Sequence, residues 1–170
     1  MAEIERERLR EREAPQEGGY EKCYGYREEF QNRQKTGKIV IRSDEREWDM
    51  SRQGRLKWYL HPQMFSDTCL QDWYTFLHDI RTHSGKHRHQ GGLAIFVIEG
   101  KGYTTVDGER LDWEEGDLIL LPLKPNGVEH QHFNREPGKP CKWLAFINNN
   151  IWDYGASEMT QVELSPEYKG

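Results

Sequence analysis

The chain has 170 residues, of which 35% are hydrophobic and 31% are charged, and its formal net charge is −5. This acidic excess argues against a dedicated nucleic-acid-binding protein. The absence of a long apolar run argues against a membrane span, and the N-terminus lacks the apolar segment of a secretory signal. Three well-separated cysteines fit neither a zinc motif nor a disulfide framework, so we expect a protein of the reducing cytoplasm.

Residues 1–19 consist almost entirely of charged and small residues, and we expect a disordered tail. Residues 20–71 have a mixed composition and are predicted to form an arm that packs on the following domain or on a partner. Within this arm, EEFQNRQ favours a short helix, and KIVIRSDE favours a brief strand. GRLKWYLHPQM alternates between apolar and polar residues until Pro62 interrupts it.

Residues 72–150 carry short runs rich in β-branched and aromatic residues, each bounded by Gly, Pro, Asn or Asp. Such spacing is typical of an antiparallel sandwich or barrel, so the predicted fold class is all-β. Asp107-Gly108 lies between YTTV and ERLDW and predicts a two-residue hairpin turn. No internal repeat is present, which indicates a single barrel, and residues 151–170 are predicted to be a C-terminal extension.

Two histidine pairs stand out in the barrel region, in HSGKHRHQGG and in EHQHFN. Since side chains of a strand alternate between its faces, His87 and His89 should point the same way, and so should His130 and His132. One such pair alone is usually part of an exposed strand or loop. Two pairs in one small β domain predict that three or four imidazoles converge on a metal ion such as iron, zinc, copper or nickel.

The same alternation predicts the faces of the strand that follows the first pair. The residues expected to face inward are Leu93, Ile95 and Val97. The residues expected to face outward are Ala94, Phe96 and Ile98. Because the outward residues are also apolar, we expect the arm or a second copy of the chain to cover them, which favours a homodimer.

The stretches HRHQGGLAIFVIEGKG and GDLILLPLKPNGVEHQHFN resemble the two motifs of the cupin superfamily. The matching positions are His87, His89, Gly100, Gly116, Pro125, Gly127, His130 and Asn134. This resemblance covers roughly residues 75–147. It implies a cupin-type double-stranded β-helix, or jelly roll, over residues 72–150.

One departure from the cupin motif reduces the expected set of metal ligands. The position near which cupins carry a carboxylate ligand is Leu93, which cannot bind a metal. The remaining ligands would be His87, His89 and His130, a set similar to that of the gentisate and hydroxynaphthoate dioxygenases. This resemblance implies a non-haem Fe(II) dioxygenase acting with dioxygen on a small aromatic hydroxy acid or hydroxy-ketone, with Mn, Ni or Zn as alternative metals.

Several roles stay open from the sequence. His132 is the candidate catalytic acid or base, against a purely structural role. Arg55, Lys57 and Tyr59 could bind a substrate anion, although a solvated face is the expectation. For His61 we expect a surface turn, and for His78 a packed or exposed strand position, with the barrel lining as the alternative. His83 has the parity of the first pair but lies across SGK, so its direction stays open, with a position outside the site as the expectation. A metal-dependent lyase or isomerase, and a non-catalytic binding module, remain alternative functions.

Overall fold

The computed structural model describes residues 18–155 and 157–170, so nearly all of the predicted tail at 1–19 lies outside the described residues. The chain divides into two compact units. The described part of the smaller unit is residues 18–39 with Asp67–Cys69, and the larger unit is Val40–Ser66 with Leu70–Gly170.

The smaller unit contains helix α1, Gly19–Thr36, none of whose side chains is buried. This helix includes the predicted EEFQNRQ segment and extends it in both directions. The helix ends where the Gly37 amide donates to the Arg33 carbonyl. Lys38 then forms an isolated bridge with Thr68, and its ammonium lies 3.2 Å from the Asp67 carboxylate.

KIVIRSDE does not form the predicted strand. Beyond the bridge at Lys38, the segment contains only a short 3₁₀ turn at Ser43–Glu45. A run of three apolar residues predicts a strand only where a neighbouring strand can pair with it, and this segment has no such neighbour among the described residues.

The described residues of the larger unit contain eleven strands and a short helix. The strands are β1 (Trp48–Ser51), β2 (Gly54–Leu60), β3 (Trp73–Asp79), β4 (Lys86–His89), β5 (Leu93–Glu99), β6 (Lys101–Val106), β7 (Glu109–Glu114), β8 (Leu118–Leu121), β9 (Val128–Asn134), β10 (Lys142–Asn148) and β11 (Thr160–Glu163). Helix α2, Asn149–Trp152, follows β10, and its N-terminus is capped by the Asn148 side chain, which accepts from the Asn150 amide.

The strands form two antiparallel sheets. One has the order β1-β2-β3-β10-β5-β8 and the other β11-β4-β9-β6-β7. From β3 to β10 the chain passes repeatedly from one sheet to the other, which is the connectivity of a jelly roll. The predicted all-β cupin-type fold is therefore confirmed. Strands β1, β2 and β11 extend the two sheets with residues from the segments predicted to flank the barrel.

The core lies between the sheets, and β5 shows how the sequence produces it. Ile95 and Val97 are completely buried, whereas Phe96 and Ile98 are 44% and 42% exposed. This confirms the predicted alternation. Ile95 lies opposite Ile119 of β8 and opposite Ala145 of β10, so the buried face continues across three strands.

The predicted hairpin joins β6 and β7. Asp107 has φ 50° and Gly108 has φ 90°, so both central residues adopt the left-handed conformation that a primed turn requires. Asp107 also accepts hydrogen bonds from the Glu129 amide and the Lys124 ammonium, at 2.9 and 2.7 Å. Among the described residues, no helix is long and apolar enough to cross a membrane.

Candidate metal centre

The two histidine pairs meet on adjacent strands. β4 and β9 are antiparallel neighbours, and their register places His87 directly opposite His130. The ring centroids of these two residues are 4.2 Å apart, and the His89 ring lies 5.0 Å from His87 and 4.6 Å from His130. One nitrogen of each ring lies within 4.8 Å of the other two.

Burial keeps these imidazoles uncharged. It lowers the pKa of His89 to about 3 and that of His130 to about 4, and it places the pKa of His87 well below its usual value. The neighbouring histidines lower the pKa values of His87 and His89 further, since two positive charges at this distance repel. Neutral imidazole is the form that binds metals, so the site meets this requirement at neutral pH.

The hydrogen bonds of two of the three rings fit a metal, and that of His89 would have to change. His130 Nδ1 lies 3.3 Å from the Val128 carbonyl, which makes Nδ1 the donor and leaves the Nε2 lone pair free. His87 Nδ1 is buried and has no hydrogen-bond partner among the described residues. Such a nitrogen is costly to bury unless a ligand satisfies it. His89 Nδ1 accepts from the Gly91 amide at 2.9 Å, so the neutral ring carries its hydrogen on Nε2. Ligation through Nε2 would require this hydrogen to move to Nδ1 and the hydrogen bond from Gly91 to break.

The three histidines face a cavity of about 500 Å³ between the sheets. Its apolar and aromatic lining comprises Leu56, Trp58, Tyr74, Phe76, Leu93, Trp143, Ile147, Trp152 and Met159. Its histidines are His61, His78, His87, His89, His130 and His132. The other lining residues are Ser51, Arg52, Gln53 and Gln161. Among the described residues that line the cavity, Arg52 alone carries a permanent charge, and none is acidic.

His132 follows the second pair and is 2% exposed. Its Nδ1 lies 2.8 Å from the Thr104 hydroxyl, and its ring packs 4.8 Å from the Trp143 ring. Burial is the main cause that keeps its pKa well below the usual histidine value. The structure thus brings His132 to the cavity wall as a neutral side chain, beside the three clustered rings.

Residues 79–147 match the model of the cupin domain family. Residues 79–147 form a cupin domain. A gentisate 1,2-dioxygenase from Ralstonia sp. is 42% identical over 63 residues, and one from Streptomyces sp. is 30% identical over 93 residues. These alignments cover 36% and 49% of this chain but only 17% and 25% of the relatives, so the chain spans a small part of their length.

Solved structures agree with the cupin fold. A variant of the salicylate 1,2-dioxygenase from Pseudoaminobacter salicylatoxidans, in complex with gentisate, superposes with a TM-score of 0.52 at 20% identity. The match covers 82% of this chain and 38% of the other. At this level of identity the likeness shows the fold alone.

The structure also places several residues that neighbour the histidine pairs. Leu93 lines the cavity, so an aliphatic side chain stands where other cupins carry a carboxylate ligand. Arg88 and Glu129 point away from the cavity and pair at 3.4 Å. The Gln131 amide likewise turns away and donates to the Ser84 carbonyl at 2.9 Å. The His83 ring lies against Phe133, outside the cavity lining, as expected.

Two histidines were not predicted at the cavity. His61 begins the turn closed by the Met64 amide, as predicted, but its ring also lines the cavity and packs edge-on against Trp58 and Tyr74, at 4.8 and 5.1 Å. His78 also lines the cavity, is 2% exposed, and has a pKa lowered to about 3 by burial. The alternation of Tyr74, Phe76 and His78 along β3 is the sequence pattern that could have placed His78 there.

The alternative role of Arg55, Lys57 and Tyr59 in binding an anion is not supported, because none of the three lines the cavity. Lys57 donates to the Ser43 carbonyl, and Arg55 pairs with Asp79 at 2.9 Å. The residue between them, Leu56, faces the cavity instead. Arg52, an exposed residue in the turn before β2, is the one lysine or arginine among the described residues that line the cavity.

Proposed function

We propose that this protein is a non-haem Fe(II) dioxygenase that acts on a small aromatic hydroxy acid. The observation that carries the proposal is the cluster of three uncharged imidazoles, two buried and one half-buried, in the wall of an aromatic cavity. The sequence similarity to proteins named gentisate 1,2-dioxygenase supports it. In such a reaction both atoms of dioxygen enter the product, so no external reductant is needed.

His87, His89 and His130 would hold the metal. Imidazole suits iron, and manganese, nickel and zinc are the alternatives that this donor set accepts. When bound, iron would supply coordination of the substrate and of dioxygen together with the electron transfer between them. Three neutral ligands add no negative charge, so an anionic substrate would be favoured at the site.

The cavity walls support an aromatic carboxylate as substrate. Trp58, Phe76 and Trp143 offer flat apolar surfaces to a ring. Arg52, an exposed residue of the cavity lining, is the proposed partner of the carboxylate, because a guanidinium binds carboxylates through paired hydrogen bonds. A volume of about 500 Å³ suits a small ligand of this kind.

His132 is the proposed catalytic acid. It lines the cavity two residues from His130 and on the same face of β9. A neutral imidazole there can donate one hydrogen bond to an oxygen of the substrate and thereby orient it.

We also propose that two chains pair through the outer face of the larger sheet. Phe96, Ile98, Leu118 and Leu120 are all more than two-fifths exposed on the neighbouring strands β5 and β8. Such a surface is typical of a contact between subunits. The proposed compartment remains the cytoplasm, where the three unpaired cysteines would stay reduced.

The test combines metal content with oxygen uptake. Protein without a histidine tag is analysed for metals and then mixed with gentisate, salicylate and hydroxy-ketones in an oxygen electrode. We expect about one iron per chain and uptake that depends on an aromatic acid. His87→Ala with His130→Ala should abolish both, whereas His83→Ala, which alters the histidine outside the cavity, should retain them.

The other outcomes separate the alternatives. Bound zinc, nickel or manganese without oxygen uptake would overturn the dioxygenase proposal in favour of a lyase or isomerase. Failure to bind any metal after reconstitution would contradict the metal site itself and leave a small-molecule-binding module.

A further inference from the structure

Three buried side chains form a hydrogen-bonded chain that ends at the cavity. The indole Nε1–H of Trp113 donates to the Thr104 hydroxyl oxygen at 2.8 Å. The same oxygen lies 2.8 Å from Nδ1 of His132. All three residues are at most 5% exposed. The strand register brings them together, because Thr104 of β6 pairs directly with His132 of β9.

Only one arrangement of the hydrogens satisfies every donor in this row of hydrogen bonds. An indole nitrogen can only donate, so the Thr104 oxygen must accept from Trp113. The Thr104 hydroxyl hydrogen then needs an acceptor, and His132 Nδ1 is the one within reach among the described residues. If Nδ1 carried the hydrogen instead, the buried Thr104 O–H would have no acceptor, a state that folded proteins avoid.

The backbone makes room for this chain at one position. Gly102 lies opposite Trp113 in the β6–β7 pairing. A Cβ atom at Gly102 would overlap the outer edge of the Trp113 ring. The missing side chain therefore lets the indole lie across β6, with its nitrogen at Thr104 two residues further along the strand.

We propose that Trp113 and Thr104 are positioning residues that hold His132 in the tautomer with its hydrogen on Nε2. His132 then presents an N–H donor to the cavity and has no lone pair there. It can donate to an anionic oxygen of the substrate, and it cannot become a fourth imidazole ligand of the metal. The hydrogen bond from His132 to a substrate rests on the proposed function, whereas the tautomer of His132 does not depend on it.

The tautomer can be read directly by NMR on the full chain labelled with ¹⁵N-histidine. Two-bond ¹H–¹⁵N correlations distinguish a protonated ring nitrogen from an unprotonated one, and the His132→Gln spectrum identifies the His132 signals. We expect His132 to carry its hydrogen on Nε2, in the wild type and in Thr104→Ser. Thr104→Val, which removes the hydroxyl at similar volume, should shift the ring towards the Nδ1–H form. A wild-type His132 with its hydrogen on Nδ1 would overturn the proposal.

A second readout uses Co²⁺ as a probe of the ligand set. We expect the wild type and Thr104→Ser to give the same visible absorption spectrum. Thr104→Val should give a changed spectrum, because a freed Nε2 lone pair can join the three ligands. If the dioxygenase is active, Thr104→Val should lower kcat about 10- to 100-fold, with Thr104→Ser restoring it. A protein with the expected tautomer but no oxygen uptake would reject the proposed function and leave this inference standing.

Discussion

His87 and His130 face each other across the β4–β9 ladder, with ring centroids 4.2 Å apart. This pairing makes the site depend on strand register, since a slip of one residue would turn one histidine pair to the opposite face. His89 pairs with Val128, two residues further along the ladder, and its ring still lies 4.6 Å from that of His130. Two strands thus supply all three predicted ligands.

Metal binding should stabilise the protein through this cluster. At a free Co²⁺ concentration of about 100 times Kd, the free energy of unfolding should rise by about 2.7 kcal/mol. His89→Ala should lose this gain, and His83→Ala should keep it. Thermal denaturation with and without Co²⁺ measures the effect. Equal stabilisation of both variants would show that the metal binds elsewhere.

Acid should weaken the fold through the buried histidines, and His78 offers the clearest case. Its native pKa is lowered by burial to about 3, so below the unfolded value of about 6.5 only the unfolded chain binds this proton. Stability is therefore lost as pH falls from about 6.5 towards 3, by up to about 1.4 kcal/mol per pH unit for each such group. Urea unfolding at several pH values, with metal chelated, measures this slope.

A variant isolates the contribution of His78 to that slope. His78→Gln should reduce the slope of unfolding free energy against pH by the contribution of one proton. This should hold whatever the effect of the substitution on stability at pH 7. An unchanged slope in His78→Gln would mean that His78 is protonated in the folded protein.

Arg52 should determine the affinity for a carboxylate. We expect Arg52→Gln to raise KM for an aromatic acid about tenfold, equivalent to about 1.4 kcal/mol, with a smaller effect on kcat. Arg55→Gln is the matched control, because its guanidinium pairs with Asp79 away from the cavity. Steady-state oxygen uptake compares the two. A rise in KM for Arg55→Gln alone would reverse the assignment.

Gly102 should tolerate no side chain. Gly102→Ala pushes a methyl group into the Trp113 ring, and we expect a loss of about 1–3 kcal/mol from overpacking. Gly25→Ala is a suitable control, since it lies in helix α1 with open space around it. Chemical denaturation measures both variants. Full stability of Gly102→Ala would show that Trp113 can shift without cost.

The outer face of the larger sheet should control association. Leu120→Glu places a charge on this face, where Leu120 is 66% exposed, and we expect it to convert a dimer into a monomer. Leu111→Glu changes a leucine that is 43% exposed on the other sheet and should leave the dimer intact. Sedimentation velocity distinguishes the two states. A monomeric wild type would contradict the proposed dimer.

The sequence by itself determined the features that depend on local periodicity. Alternation along β5 separated Ile95 and Val97 from Phe96 and Ile98, because a strand forces neighbouring side chains to opposite faces. The Asp107-Gly108 turn was predictable for a similar reason, since few residue pairs accept its backbone conformation. The spacing of the histidine pairs, together with the resemblance to cupins, gave the three clustered residues.

Only the tertiary structure decided which distant side chains share the cavity. His61, His78 and Arg52 reach it from β3 and from the segments around β2, and no local pattern fixes how those elements lie against β4 and β9. The Trp113–Thr104–His132 chain depends on two strand registers and on the space at Gly102. Contacts of this kind are set by the packing of whole sheets, which a sequence specifies only through all of its residues together.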